Sequence, residues 1–454
     1  MTTERPAPVE VPGTDPLGRL TPEEFASAAA RVAAASPVGA HGGAEVLGGV
    51  LVCGAGPTGL CAAMTLARAG VPVTVLEKGP GLSAESRAST FHPPTLELLD
   101  GLGLAEEVVA RGLVAPTTQF RDRRSGPVAT FDLGVLAGET AYPFRVQLEQ
   151  DKLCGLALER IAADGLAVDV RFGARVHGVV PAVAGSAGAA GGAADGGVTV
   201  LVGSADGFRL VTAPWVVAAD GAHSAVRTSL GVELVGETYP ERFLVVSVAD
   251  ELTEVLADLS HVNYVADPEE WLVLLRTPDH WRILFPITGP DAGAADDAVL
   301  EPAAVQQRLD SVAVLGRPWE VLAASLYVVS RRVADRMRIG RVLLAGDAAH
   351  QNSPLGGMGM NSGIQDGVSA ARRLVAVLGG ADESLLDDYD TNRRRVATGY
   401  VQADSHANWL VLREPDPARR AALQEELRAV AADPVRHAER MRRSAMLDAV
   451  RDSL

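Results

Sequence analysis

Lysine is nearly missing from this chain. Lys78 and Lys152 are the only two among 41 basic residues, so the positive charge is almost wholly arginine. Acids outnumber bases 57 to 41, and a net charge of −16 argues against a nucleic-acid backbone as partner. Cysteine is scarce as well. Cys53, Cys61 and Cys154 have no metal-ligand or redox-motif spacing, and two of them lie inside an apolar segment. They read as small buried hydrophobes in a reduced cytoplasm, and no metal site is expected. No apolar run is long enough to cross a bilayer, and the opening MTTERPAPVEVPG lacks the basic-then-apolar pattern of a signal peptide, so no membrane partner is expected. Aromatics make up only 4%. Hydrophobic residues nonetheless make up 47% of 454, enough for two or three domains around a large core.

The stretch from Gly49 to Glu77, GVLVCGAGPTGLCAAMTLARAGVPVTVLE, is the most informative. Val50 to Cys53 reads as a buried strand. Gly54, Gly56 and Gly59 turn the chain, with Thr58 inside the turn. Leu60 to Ala69 has helical spacing, Gly70 stops it, and Val73 to Leu76 is a second strand ending at Glu77. In such a unit the first glycine permits the turn, the second lets a pyrophosphate approach the backbone, and the third allows close helix–strand packing. The helix N-terminus offers unpaired N–H groups to the phosphates. Glu77 stands where an acid accepts hydrogen bonds from a ribose diol, with Lys78 beside it. The alternative is a glycine-rich turn in an ordinary α/β domain.

Two later stretches also look ligand-facing. Trp215 to Ala219 is an apolar strand running into Asp220-Gly221, followed by a helix that Ser224 can cap. An acid at a strand end is well placed to act on a ligand, although Asp-Gly is also a common turn. Ile339 to Gly367 reads IGRVLLAGDAAHQNSPLGGMGMNSGIQDG: a buried strand, Gly346-Asp347, a glycine-rich loop, and a helix from about Asn361 to Leu378. Gly356, Gly357 and Gly359 let that loop approach a planar ring, and the helix N-terminus directs positive charge there. His350 is a candidate catalytic group, with a structural histidine as the alternative. Arg87, on a loop on the ligand side, faces either a ligand or solvent.

The remaining segments are mostly structural. Thr21-Pro22-Glu23-Glu24 is a capping box opening a helix to about Ala35, in an N-terminal arm that is either partly disordered or packed on a neighbour. Gln150 to Ala162 is helical. Ala182 to Gly197 reads as a floppy hairpin loop. Phe243 to Val248, His261 to Val265, Trp271 to Arg276 and Trp281 to Pro286 read as strands of a sheet closing over the nucleotide-binding part. Leu385 to Leu454 is helical, charged and broken at Glu414-Pro415-Asp416-Pro417, with no recognisable chemistry.

With three ligand-facing motifs in order, the chain resembles the class A flavin-dependent monooxygenases of the para-hydroxybenzoate hydroxylase fold. The third motif of that family, Gly-Asp then His-x-x-x-Pro-x-Gly-Gly-x-Gly-x-Asn, matches Gly346-Asp347, His350, Pro354, Gly356, Gly357, Gly359 and Asn361. The resemblance implies an FAD site. Glu77 and Asp347 would hold riboses, Arg87 and Gln150 would reach the pyrophosphate or ribityl region, and Asp220 would support the pyrophosphate side. The backbone N–H groups of Met360 and Asn361 would face the flavin's pyrimidine edge. Pro354 would lie beside substrate and the reactive flavin edge, which makes Pro354 and His350 the catalytic candidates. Met358 stands where many members carry Gln or Lys.

The implied fold is α/β: a Rossmann-like FAD-binding domain (46–118, 146–236 and 325–397), an inserted, mostly antiparallel substrate sheet (119–145 and 237–324), an N-terminal arm (1–45) and C-terminal helices (398–454). The implied reaction is hydroxylation of a phenol, aminophenol or aromatic acid with NAD(P)H and O2 through a flavin hydroperoxide, in a cytoplasmic monomer or homodimer. Arg145, Arg242, Arg276 and Arg282 are candidates for holding a substrate carboxylate. Two rival readings are a flavin-dependent halogenase and a non-catalytic flavin-binding module. Against the first, this chain has Trp281-Arg282-Ile283-Leu284-Phe285-Pro286 in place of Trp-x-Trp-x-Ile-Pro, and Lys78 is misplaced for the pocket lysine.

Overall fold

The computed structural model describes residues 18–35, 44–84, 88–181, 197–451 and 453; Arg87 and the run 182–196 lie outside them. A six-stranded, mostly parallel sheet anchors the nucleotide-binding part. Val50–Cys53 lies between Trp215–Ala218 and Val73–Leu76; Val342–Leu344 and Val168–Arg171 extend the two sides, and Arg338–Ile339 adds an antiparallel edge. The three central strands are buried throughout, which is why they read as unbroken apolar runs.

Parallel pairing brings the ends of these strands to one edge. Gly54, Glu77, Asp220 and Gly346 therefore come out side by side, though they are distant in sequence. The contacts are close. A methyl group on Gly54 would sit 2.4 Å from the Ala219 carbonyl oxygen, and one on Gly346 would sit 2.7 Å from Thr58 Oγ1. The helices Pro57–Arg68 and Gly359–Leu378 cross at equally short range, because a methyl group on Gly367 would lie 2.4 Å from the Thr58 carbonyl oxygen. Glycine is required at this crossing.

A four-stranded sheet of Glu45–Val46, Gly207–Ala213, Val198–Ser204 and Arg175–Pro181 shares its core with this layer. The helix Pro22–Ala35 packs on it through Phe25, Ala28 and Val32 against Leu201 and Leu210, so the arm's helix docks on its own chain. Its capping box is reciprocal: Thr21 N–H donates to Glu24 at 2.8 Å and Glu24 N–H to Thr21 Oγ1 at 3.3 Å.

The large sheet has eight strands, in the order His350–Gln351, Val321–Ala334, Leu234–Val248, Trp281–Ile287, Leu272–Arg276, Val262–Ala266, Thr117–Asp122 and Gly126–Asp132. All pairings are antiparallel except that of Val262–Ala266 with Thr117–Asp122. Leu234–Val248 and Val321–Ala334 run across the expected boundaries at 237 and 324, so these strands span both parts of the molecule. Alternate residues face opposite layers. Leu244, Val246, Ile283 and Phe285 pack against the helix Pro302–Val312, while Phe243, Val245 and Leu284 share a core with Leu412, Leu427 and Met441 of the C-terminal helices. The C-terminal helices thus form one wall of the substrate layer. No helix among the described residues is long and apolar enough to cross a membrane.

Candidate active site

The first turn offers an open cradle. Gly54 has φ +101°, a left-handed conformation that disfavours any side chain. A methyl group on Gly56 would meet nothing within 4 Å, whereas one on Gly59 would lie 2.0 Å from the Gly54 carbonyl oxygen. Gly56 therefore keeps clear the space in front of the helix N-terminus, and Gly59 closes the turn against that helix. Glu77 ends its strand against this turn, accepting from Ala55 N–H and Gly79 N–H at 2.9 Å each. Each oxygen keeps a lone pair for a further donor. Lys78 is exposed, and the Thr58 hydroxyl spaces the first turn from Gly346 and Gly363.

The second turn is built around Asp220. One carboxylate oxygen accepts from Val226 N–H at 3.1 Å; the other is buried without a partner among the described residues. Burial raises this carboxyl above the ordinary aspartate range, outweighing the hydrogen bonds from Ser224 and Val226. Ser224 caps the short helix Ala225–Ser229, accepting from Arg227 N–H at 2.9 Å. Arg227 then ties two turns together, donating to the carbonyls of Ala348 at 2.9 Å and Ala222 at 3.0 Å.

In the third turn Gly346 has φ +62°, and Asp347 projects outward beside it. The loop that follows is held from beneath. Gly356 and Gly357 have φ +104° and +66°. Asn361, fully buried, donates to the carbonyls of Gly357 at 2.7 Å and Thr90 at 2.8 Å and accepts from His92 N–H at 2.9 Å. The His92 ring meets the Gly356 carbonyl at 2.9 Å. Burial, with Arg145 nearby, pushes this imidazole well below its ordinary range, so it is neutral. The side chain of Asn361 is thus spent on the loop, and the first-turn N–H groups of Gly359, Met360 and Asn361 have no intrahelical acceptor. Met358 is buried against Val396 and Val401, so it packs rather than facing the loop as a polar contact. Pro354 is exposed at the loop's lip, and Gln150 begins the helix Gln150–Ala163, its N–H bonded to the Ala88 carbonyl at 3.0 Å.

His350 lies inside the protein. It is 1% exposed, and its Nε2 is 2.7 Å from Asp366. Asp366 also accepts from Gly346 N–H at 2.9 Å and from Arg393 Nε at 2.5 Å. Burial would raise the Asp366 carboxyl, but Arg393 and His350 outweigh it and hold it below the ordinary range.

A cavity of about 30 Å3 lies between the large sheet and the C-terminal helices, bounded on one side by Gly356 and Met358. Phe120, Phe131 and Tyr264 supply aromatic walls; Phe120 and Tyr264 stack at 5.2 Å and 29°. Of the four candidate arginines, only Arg145 borders it. Arg242 instead pairs with Asp296 and Arg276 with Glu251, away from the cavity. Arg282 is buried beside Ser89, at 3.5 Å from its hydroxyl. The opposite wall was not legible in the sequence: Arg440, Met441 and Ser444 come from the helix Pro434–Ser444, and Asn408 from Ala403–Leu412. The C-terminal tail therefore supplies site residues, contrary to its bland reading. The only hint in the sequence was a charged helix carrying Met441.

Three glycine-bearing turns at the carboxyl edge of one parallel sheet, with Glu77, Asp220 and Asp347 at the strand ends, define a dinucleotide-binding fold. Residues 49–404 match the family described as "FAD binding domain". The chain belongs to that family, the class A flavin-dependent monooxygenases. It is 33% identical over 386 residues to the para-nitrophenol 4-monooxygenase of Pseudomonas sp. strain WBC-3, covering 83% of this chain and 90% of that protein. Its fold matches a p-nitrophenol 4-monooxygenase from Pseudomonas putida DLL-E4 with a TM-score of 0.81 at 30% identity, covering 90% of this chain and 100% of that one. It also matches an aklavinone-11 hydroxylase in complex with FAD and aklavinone with a TM-score of 0.70 at 32% identity, covering 82% of this chain and 70% of that one. The residues present fit FAD: Gly56 leaves room for the pyrophosphate, Glu77 retains acceptor capacity for a ribose hydroxyl, and Asp220 keeps one buried acceptor oxygen unused for a hydroxyl of the cofactor.

Proposed function

We propose that this enzyme hydroxylates a phenol, aminophenol or aromatic acid using FAD, NAD(P)H and O2. The observation that carries this reading is the aromatic-walled cavity abutting the Gly356–Met358 loop, sealed by the C-terminal helices. Bound FAD supplies hydride acceptance and oxygen activation.

The protein's part is holding and shielding. Glu77 and Asp347 hold the riboses. The N–H groups of Gly359, Met360 and Asn361 meet the pyrimidine edge and stabilise negative charge there. Gly357 keeps that approach free of a side chain, and Pro354 borders the path between ring and cofactor. His350 acts as a positioning residue, because its Nε2 is committed to Asp366 and it is buried away from solvent. The cavity's lining excludes water from the reacting centre. With a single dinucleotide fingerprint taken by FAD, the nicotinamide cofactor binds transiently. We also propose division into FAD-binding and substrate parts as expected from the sequence, a cytoplasmic location consistent with three unpaired buried cysteines, and a monomer or homodimer.

The test is a screen of phenols and aromatic acids for stimulated NAD(P)H oxidation, with mass detection of a product heavier by one oxygen. Oxidation without oxygenated product, for every ring tried, sinks the hydroxylase reading, and failure to consume NAD(P)H with any ring despite bound FAD favours a non-catalytic flavin module. A chlorinated product dependent on chloride favours a halogenase, which the hydroxylase relatives do not support.

A further inference from the structure

Two guanidinium groups border the cavity, and among the described residues no carboxylate does. Arg145 is 3% exposed. Its Nη2 donates to the Ser444 carbonyl at 3.3 Å, its hydroxyl neighbour is Tyr264, and its Nε is buried without a partner among the described residues. Arg440 reaches in from the C-terminal helix, its guanidinium over the rings of Phe120 at 5.1 Å and Phe131 at 4.8 Å. Asp404, whose field reaches Arg440, is itself paired with Arg443 at 2.6 Å. Two like charges in a desolvated, aromatic-walled space are costly unless an anion joins them. Ring faces attract a cation but do not neutralise it.

Resting on the hydroxylase reading above, we infer that Arg145 and Arg440 form a two-sided clamp for the anionic group of an aromatic substrate, a phenolate or ring carboxylate, and that the C-terminal helix supplies its specificity-determining half. The two guanidiniums grip an oxyanion from the strand side and the helix side. Tyr264 and Phe120, stacked on each other, wall the ring that carries it, and Gly356 borders the side toward the flavin loop. Burial lowers the proton affinity of both arginines, which sharpens their demand for a negative partner. Because the cavity measures about 30 Å3, the clamp requires the helix to shift as the ring enters. Beyond its apolar contacts the helix is strapped by Arg442–Glu139 at 2.8 Å, by Arg443–Asp404, whose carboxylate is mostly buried, and by the hydrogen bond from Asp132 N–H to His437 at 3.0 Å. A phenolate held this way is also the electron-rich form of the ring, so the clamp selects the reactive ionisation state.

The test uses FAD-loaded full-length protein without NAD(P)H, measuring binding by equilibrium dialysis of 4-nitrophenol, at a pH where it is ionised, and of nitrobenzene, its neutral counterpart. Wild type is expected to prefer the phenolate by about ten- to hundredfold, the scale of a charge-assisted hydrogen bond. Arg440→Met keeps the packing on Phe120 and Phe131; it should lose that preference while retaining flavin and nitrobenzene binding. Arg440→Lys should restore part of it, and serves as the second variant should the methionine change unfold the helix. Equal binding of both probes by wild type, or an undiminished preference in Arg440→Met, overturns the clamp alone. Binding of neither probe, together with a blank turnover screen, overturns the hydroxylase reading and the clamp with it.

Discussion

Arg393 Nε lies 2.5 Å from Asp366 Oδ1, and neither side chain has any solvent exposure. The pair joins the helix Leu385–Val396 to the helix Gly359–Leu378, and the second Asp366 oxygen holds Gly346 N–H and His350. Arg393 also donates to the hydroxyl of Ser453 at 2.9 Å, so the third turn is pinned from behind by the end of the chain. An uncompensated carboxylate in such a place is expensive. Arg393→Leu should therefore cost about 3–5 kcal/mol in urea-induced unfolding and weaken flavin retention, because Gly346 loses its fixed acceptor. An unchanged midpoint would show that Asp366 finds compensation elsewhere.

Gly56 and Gly59 stand three residues apart with opposite jobs. Gly56 has φ −77° and open space where a Cβ would go, so Gly56→Ala should fold with unchanged stability and lose FAD affinity by about tenfold or more. Gly59→Ala drives a methyl group into the Gly54 carbonyl and should destabilise the protein itself by about 1–3 kcal/mol. Comparing thermal melts of the flavin-free proteins with flavin titrations separates the two.

Asp347 is exposed on the third turn, so Asp347→Ala should leave flavin-free stability within about 0.5 kcal/mol. Wild-type protein should purify yellow, and the variant should lose most of its flavin. Stoichiometric FAD in the variant counts against the ribose assignment.

Acid should loosen the loop that faces the ring. Burial keeps His92 neutral in the folded state, whereas the unfolded chain takes up that proton below about pH 6.5. Asp366, held low by Arg393 and His350, acts in the same direction at lower pH. For both, the unfolded state binds more protons as pH falls, so stability is full at neutral pH and declines on acidification. The His92 contribution should decline by up to about 1.4 kcal/mol per pH unit between the unfolded pKa and the lower folded one. Urea midpoints at pH 7.5 and 5.5 measure the drop, and His92→Gln should reduce it, the remainder coming from His177, His280 and His406, which burial also holds low.

Much of this architecture was legible in the sequence because it depends on local rules. Gly54-Ala55-Gly56 before a helix, Glu77 at a strand end, Ser224 before a short helix and Thr21 with Glu24 are patterns whose chemistry lies within a few residues of each partner. Long-range partners left no such mark. Nothing near Asn361 in sequence announces that its amide holds Thr90 and His92, and nothing near His350 reveals Asp366 and Arg393. Arg242 and Arg276 looked as eligible for substrate as Arg145, because an arginine's role is set by which acid lies opposite it, and that is known only after folding.

By itself, the sequence determined the strand–turn–helix units and the order of the three turns, since glycine's freedom at positive φ and the run of buried apolar residues are local properties of the chain. Tertiary structure alone decided that the turns at Gly54, Asp220 and Gly346 share one strand edge, and that a C-terminal helix brings Arg440 opposite Arg145. The reason is physical: parallel pairing and helix docking are chosen by the burial of whole faces, and that choice brings together side chains with no neighbourhood in sequence.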